Sequence, residues 1–135
     1  MKKIIFLLFV LVLTSFSKQE NNVDGLALEF KKKSEDYVFG DHYSNLSYAK
    51  EGMKFVNLKI VFMNNGSNTC AFNLDDVFIS TEKDSLYRTF ENFYNMKTKI
   101  KPQKKKTERI IFEIPNESKP NELYIEDKKF KIIIE

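Results

Sequence analysis

The residue in this chain best suited to acid–base chemistry is its one histidine, His42, which follows Asp41. An imidazole oriented by a carboxylate activates the nucleophile of many hydrolases, so hydrolysis in a cleft around His42 is one hypothesis. No second histidine and no nucleophile motif accompanies the pair. A zinc site needs three or four ligands, which two residues cannot supply. The sequence therefore favours a solvated loop histidine and a non-catalytic protein.

Two further features, Cys70 and the pair Asp75–Asp76, have residue types suited to disulfide or metal chemistry but lack the partners that this chemistry needs. Cys70 is the single cysteine, so an internal disulfide is excluded; it is predicted to be a buried thiol, with an intermolecular disulfide as the alternative. Asp75 and Asp76 resemble a fragment of a calcium loop, but the full D-x-D-x-D-G frame and its distal glutamate are missing. We therefore predict no metal, no cofactor and no catalytic residue.

The most prominent local feature is a basic tract from Lys97 to Arg109, which only Glu108 offsets. An aromatic cluster precedes it, and cations beside aromatic rings are suited to an acidic protein, an anionic glycan or a lipid headgroup. The alternative is a solvated loop whose lysines keep an edge strand from pairing. The candidate binding surface consists of Tyr87, Phe90, Phe93, Tyr94, Lys104, Lys105 and Lys106.

The element that must position these residues is a long strand predicted over residues 52–66. Apolar side chains alternate along it, which places Val56, Leu58, Ile60 and Phe62 on one face. Because its other face also becomes apolar toward Met63, we expect it at the centre of a sheet. An Asn-Asn-Gly turn ends it.

The rest of the chain is predicted to form short strands separated by turn signals, with a bulge at Asp75–Asp76 and one or two helical turns within residues 90–101. This pattern predicts an all-β fold, an immunoglobulin-like antiparallel β-sandwich of seven to nine strands. Its expected core comprises Phe30, Val56, Leu58, Ile60, Phe62, Phe72, Ile110, Phe112 and Ile132.

The first 17 residues have the features of a signal peptide. Lys2 and Lys3 precede an unbroken apolar run, and the small residues Ser15 and Ser17 suit cleavage before Lys18. The run is too short for a stable transmembrane span. We predict a signal peptide over residues 1–17, a flexible leader over 18–24 and one sandwich domain over 25–135.

Removing the signal also changes the charge. Two of the 22 basic residues leave with it, so the mature chain is nearly neutral against its 19 acidic residues. This balance argues against nucleic acid as a partner. No cysteine lies within residues 14–20, directly after the signal, so we predict a protein that is not lipid-anchored. The short Met-Lys-Lys start is typical of bacteria, and the expected location is periplasmic or extracellular.

The central strand and the segment Ile111-Phe112-Glu113-Ile114-Pro115 resemble a bacterial extracellular family catalogued as domain of unknown function 4352. The resemblance begins at Gly52-Met53-Lys54-Phe55-Val56 and covers about residues 26–135. In that family a Pro-Gly turn occupies the place of Pro102-Gln103, so Gln103 departs from the pattern. The resemblance implies an immunoglobulin-like sandwich without a general enzymatic activity.

Together these patterns predict an exported, non-catalytic immunoglobulin-like domain, a binding or assembly module of the bacterial cell envelope. The alternative is a small secreted hydrolase that uses His42 in a cleft. The absence of a second histidine or nucleophile motif favours the binding module.

Export has a direct consequence for the N-terminus of the protein. We expect N-terminal sequencing of material from the cell envelope to begin at Lys18, because cleavage follows the small residue Ser17. An intact Met1 on membrane-bound protein would show instead that the segment is a retained anchor.

Overall fold

The structure, a computed structural model, describes residues 22–40, 46–90 and 97–134. The predicted signal peptide, His42, Phe93 and Tyr94 lie outside these ranges. The described residues form strands and one 3-10 turn at Leu74–Asp76. The strands are β1 Asn22–Val23, β2 Leu26–Asp36, β3 Val38–Phe39, β4 Ser47–Tyr48, β5 Met53–Asn64, β6 Cys70–Asn73, β7 Val77–Thr81, β8 Leu86–Arg88, β9 Lys97–Ile100, β10 Lys105–Pro115, β11 Pro120–Ile125 and β12 Lys128–Lys131.

Two four-stranded antiparallel sheets form the sandwich. The first has the order β1-β2-β5-β10 and the second β12-β11-β7-β8. In immunoglobulin notation β2, β5 and β10 take the places of strands A, B and E, while β12, β11, β7 and β8 take those of G, F, C and C′. Two short ribbons, β3-β4 and β6-β9, complete the described part. The predicted immunoglobulin-like sandwich is confirmed.

The core lies between the sheets and is built on alternate residues of β5. Val56, Leu58, Ile60 and Phe62 have no exposed surface, as the period of two requires. Of the nine predicted core residues, eight are buried, and Ile132 is half-buried at the margin. Phe55 is also buried, but on the opposite face of β5, where its ring contacts Phe39 and Phe90.

Two local predictions were wrong. Asp75 and Asp76 do not form a bulge within one sheet: the 3-10 turn lets the chain leave β6, which pairs with β9, and enter β7 in the second sheet. Of the segment 90–101, in which one or two helical turns are predicted, Lys97–Ile100 is a strand, and residues 91–96 lie outside the described residues. The predicted leader is too long, because Asn22–Val23 pairs with β2 and Val23 packs on the core.

The free edge of β2 is marked by charge. A bulge at Lys31 changes which side chains face the core, so that Lys33 and Glu35 lie opposite Leu58 and Val56. Glu35 accepts a 3.1 Å hydrogen bond from Lys54, which is buried. Burial alone would raise the pKa of Glu35, but the hydrogen bond and the nearby lysine charges hold that pKa below its usual range.

The buried amide of Asn64 joins the end of β5 to two other segments. Its Nδ2 donates to the carbonyl oxygens of Asn68 at 2.7 Å and Ile100 at 2.8 Å, and its Oδ1 accepts from the Gly66 amide at 2.9 Å. The Asn64 backbone bonds to Gln103 and Lys104. One side chain therefore holds the turn after β5 beside the turn before β10.

Replacing Asn64 should cost more stability than its position at a strand end suggests. We expect Asn64→Ala to lower the free energy of unfolding by about 2–4 kcal/mol, because it leaves buried backbone groups without partners. Urea unfolding monitored by circular dichroism measures this loss. Asn57→Ala is the matched control, since Asn57 lies half-buried on the same strand and makes no side-chain hydrogen bond within the described residues. Equal losses in both variants would contradict the proposed role of Asn64.

Candidate anion-binding surface

The basic tract begins on β9 and turns at residues 101–104 into β10. Gln103 adopts φ 63, the left-handed conformation that glycine takes without strain. Hydrogen bonds from Gln103 to Asn64 and Asn65 fix this turn against the end of β5. Lys101 and Lys104 are exposed there. We call these two lysines and the first residue of β10, Lys105, the basic tip.

A second group of cations crosses the outer face of the first sheet. The register pairs Lys59 of β5 with Lys32 of β2 on one side and with Arg109 of β10 on the other. All three lie on the face opposite the core, since the residues on either side of Lys59, Leu58 and Ile60, are buried. Neighbouring strands are about 4.8 Å apart, so the three positions span roughly 10 Å. We call this group the cationic row.

No side chain of the cationic row forms an ion pair within the part of the chain that the structure describes. The ion pairs of this sheet involve other side chains: Lys31 with Glu29, Lys33 and Lys54 with Glu35, and Lys106 with Glu108. Like charges directly opposite on neighbouring strands are destabilising. The row therefore costs folding free energy unless an anion lies on it.

The structure places the three lysines of the predicted cluster, Lys104, Lys105 and Lys106, in different surroundings. Lys104 and Lys105 belong to the basic tip, and Lys105 lies on the same face as the cationic row, two residues before Thr107 and four before Arg109. Lys106 takes the alternate position, and its Nζ lies 3.3 Å from Oε1 of Glu108. Lys97 and Lys99 are exposed on β9.

The aromatic half of the predicted surface does not join the lysines. Tyr87 lies in β8 opposite Ile79 and packs against the core. Phe90 packs on Phe55, with ring centroids 4.9 Å apart. Phe55 and Met63, which pairs with Lys105, are eight residues apart on β5, or about 26 Å. The expectation that Tyr87 and Phe90 lie beside the lysine cluster was wrong; Phe93 and Tyr94 lie outside the described residues.

A small cleft lies at the end of the sandwich that carries the basic tip. It has a volume of about 400 Å³ and is lined by Asp24, Leu26, residues 64 and 66–71, and Lys128. Cys70 is half-buried in it, and burial raises the pKa of the thiol, so the unreactive neutral form is favoured at neutral pH. The cleft therefore presents a thiol that is mostly protonated, beside the charged side chains of Asp24 and Lys128.

No group of three or more histidine, cysteine, aspartate or glutamate residues within residues 22–40, 46–90 and 97–134 is placed to hold a metal ion. Over the same ranges, no helix has the length and apolar character needed to cross a membrane. His42 lies outside them, so the geometry around this histidine is not described.

No family model and no curated protein matches this chain. Among solved structures, it is similar to a conserved hypothetical protein from Bacillus anthracis, with a TM-score of 0.56 and 16% identity over 83% of this chain and 90% of the other. An uncharacterized β-sandwich protein from Clostridium difficile 630 is 14% identical, with a TM-score of 0.45 over 80% of this chain and 84% of the other. At such identity the first similarity shows the fold alone.

The cost of the cationic row can be measured without any ligand. We expect Lys59→Glu to raise the free energy of unfolding by about 1 kcal/mol, because it turns two repulsive cross-strand contacts into attractive ones. Lys59→Gln should give a smaller gain, since it only removes the repulsion. Urea unfolding at low salt tests both variants, and the gain should shrink at about 1 M salt through screening. A loss of stability in Lys59→Glu would show that the row is not repulsive.

Proposed function

We propose that this chain is an exported, non-catalytic binding or assembly module of the bacterial cell envelope that holds an acidic partner on its basic surface. The observation that carries the proposal is the cationic row, together with the basic tip beside it. Six cations lie on one sheet face and its adjoining turn, with the carboxylate of Glu29 bonded to Lys31 among them, in a domain whose mature chain is nearly neutral. Export rests on the sequence pattern of residues 1–17.

The arrangement supports binding in preference to chemistry. Exposed cations on a sheet face attract an anion and speed its association, but they position no nucleophile or proton acceptor against a bond. Immunoglobulin-like sandwiches commonly bind through end loops or edge strands. The basic tip is such an end turn, and its continuation along the sheet face enlarges the surface available to a partner.

A pull-down from envelope extract tests this proposal. The immobilised protein should recover an acidic component, and Lys101→Glu/Lys104→Glu/Lys105→Glu should recover at least tenfold less, because three attractive contacts become repulsive. Recovery should also fall as salt is raised from about 0.05 M to about 0.5 M, where exposed charges are screened. The protein concentration, lipid content and anionic glycan content of the eluate are measured.

The matched control is Lys50→Glu/Lys83→Glu/Lys119→Glu, which changes the net charge equally at three exposed lysines distant in sequence from the basic tip. This control should keep its partner. Equal recovery by both triple variants would refute a localised basic binding surface. Both variants should unfold close to the wild-type urea midpoint, since exposed charges contribute little to stability.

A further inference from the structure

The cationic row and the basic tip form one continuous surface. Lys105 pairs with Met63 at the end of β5, and the row crosses β5 at Lys59, so the two groups are joined along a single strand. Between them, the side chains of Val61 and Met63 are half-exposed on the same face. The surface thus combines two partly accessible apolar side chains with six cations, Lys32, Lys59, Lys101, Lys104, Lys105 and Arg109. It also holds one exposed carboxylate, that of Glu29, which pairs with Val61 and is bonded to Lys31.

The charge of this face changes along the strands. Next to the row, the carboxylate of Glu29 is bonded to Lys31. Four positions from the row toward the other end of the sheet, Asp36 and Glu113 lie on either side of Phe55. One end of the face is therefore basic and the other carries acidic groups, so an anionic surface would attract the basic end and repel the opposite one.

The geometry of the surface distinguishes among acidic partners. Three side-by-side strands present their side chains on a broad sheet face, and the basic tip extends this face at one end. A folded acidic protein would need carboxylates fixed at matching positions across both parts. Lipid headgroups move laterally, so each cation can acquire an anion whatever its spacing. Half-exposed Val61 and Met63 would then meet the interfacial region of the bilayer.

We propose that the partner of the basic surface is an anionic lipid surface, which the domain contacts with the cationic row and the basic tip. This inference rests on the proposed function and names its acidic partner. Clusters of four to eight Lys or Arg residues are in the range that binds anionic membranes. In the bound state the lipid anions offset the repulsion along the row, and the acidic end of the sheet points away from the bilayer.

Vesicle co-sedimentation of the full chain tests the inference. Vesicles contain phosphatidylglycerol and phosphatidylcholine in equal parts, or phosphatidylcholine alone. We expect binding to the anionic vesicles only, and weaker binding as salt rises. The variant Lys32→Gln/Lys59→Gln/Arg109→Gln should lose roughly a hundredfold in partition coefficient, which corresponds to about 1 kcal/mol for each cation near an anionic surface.

The control variant Lys50→Gln/Lys83→Gln/Lys119→Gln has the same net charge and the same N-terminus, so it separates the basic surface from total charge and from any contribution of residues 1–17. It should bind within about threefold of the wild type. Equal losses in the two variants, or equal binding to neutral vesicles, would overturn the inference. The urea midpoint of each variant reports on its folding.

The outcomes also separate this inference from the proposed function. If the wild type fails to bind anionic vesicles but recovers an acidic protein or glycan in the pull-down, the lipid partner is wrong and the binding module stands. If neither assay detects a charge-dependent partner, both proposals fail.

Discussion

The burial of one face of β5 is the constraint on which the rest of this structure depends. Side chains alternate along a strand, so a shift of one residue in the pairing would bring Lys59 into the core in place of Ile60. The cost of burying an unpaired charge excludes that register. The same pairing that buries Ile60 also sets Lys32 and Arg109 opposite Lys59. The cationic row is thus a consequence of core packing, and its electrostatic cost is tolerated because the buried face dominates.

Much of the fold could be predicted from the sequence because alternation is a local signal. Val56 to Phe62, Ile110 to Ile114 and the hairpin at Asp127 each show a period of two or a turn within a few residues. The change of sheet at Leu74–Asp76 could not be predicted in this way. The same short polar interruption suits a bulge or a 3-10 turn, and only the partners of β6 and β7 decide between them.

The candidate site could likewise be predicted only in part. The sequence shows the basic tract, because its cations are consecutive or nearly so, and the basic tip lies within it. It does not show the cationic row, because Lys32, Lys59 and Arg109 meet only through the pairing of three distant strands, one of them shifted by the bulge at Lys31. For Lys59, the alternation of side chains along β5 predicts the outer face, but it does not predict which residues of the neighbouring strands lie beside it. Lys106 follows Lys104 and Lys105 directly in sequence, but its side chain lies on the alternate face and forms an ion pair with Glu108, so grouping the three lysines was misleading.

The pairing of β5 with β10 also determines how the chain must fold. Val56 pairs with Phe112 and Ile60 with Glu108, so the chain has to be synthesised through β10, and β10 brought back to β5, before the first sheet can close. Closing so long a loop costs entropy before any contact repays it, whereas the hairpins β7–β8 and β11–β12 form between near neighbours. Until β10 arrives, one edge of the central strand is open to solvent and its apolar face is incompletely covered. If the chain crosses a membrane unfolded, this slow step of folding takes place on the far side. There, association of two incompletely folded copies competes with the pairing of β5 and β10.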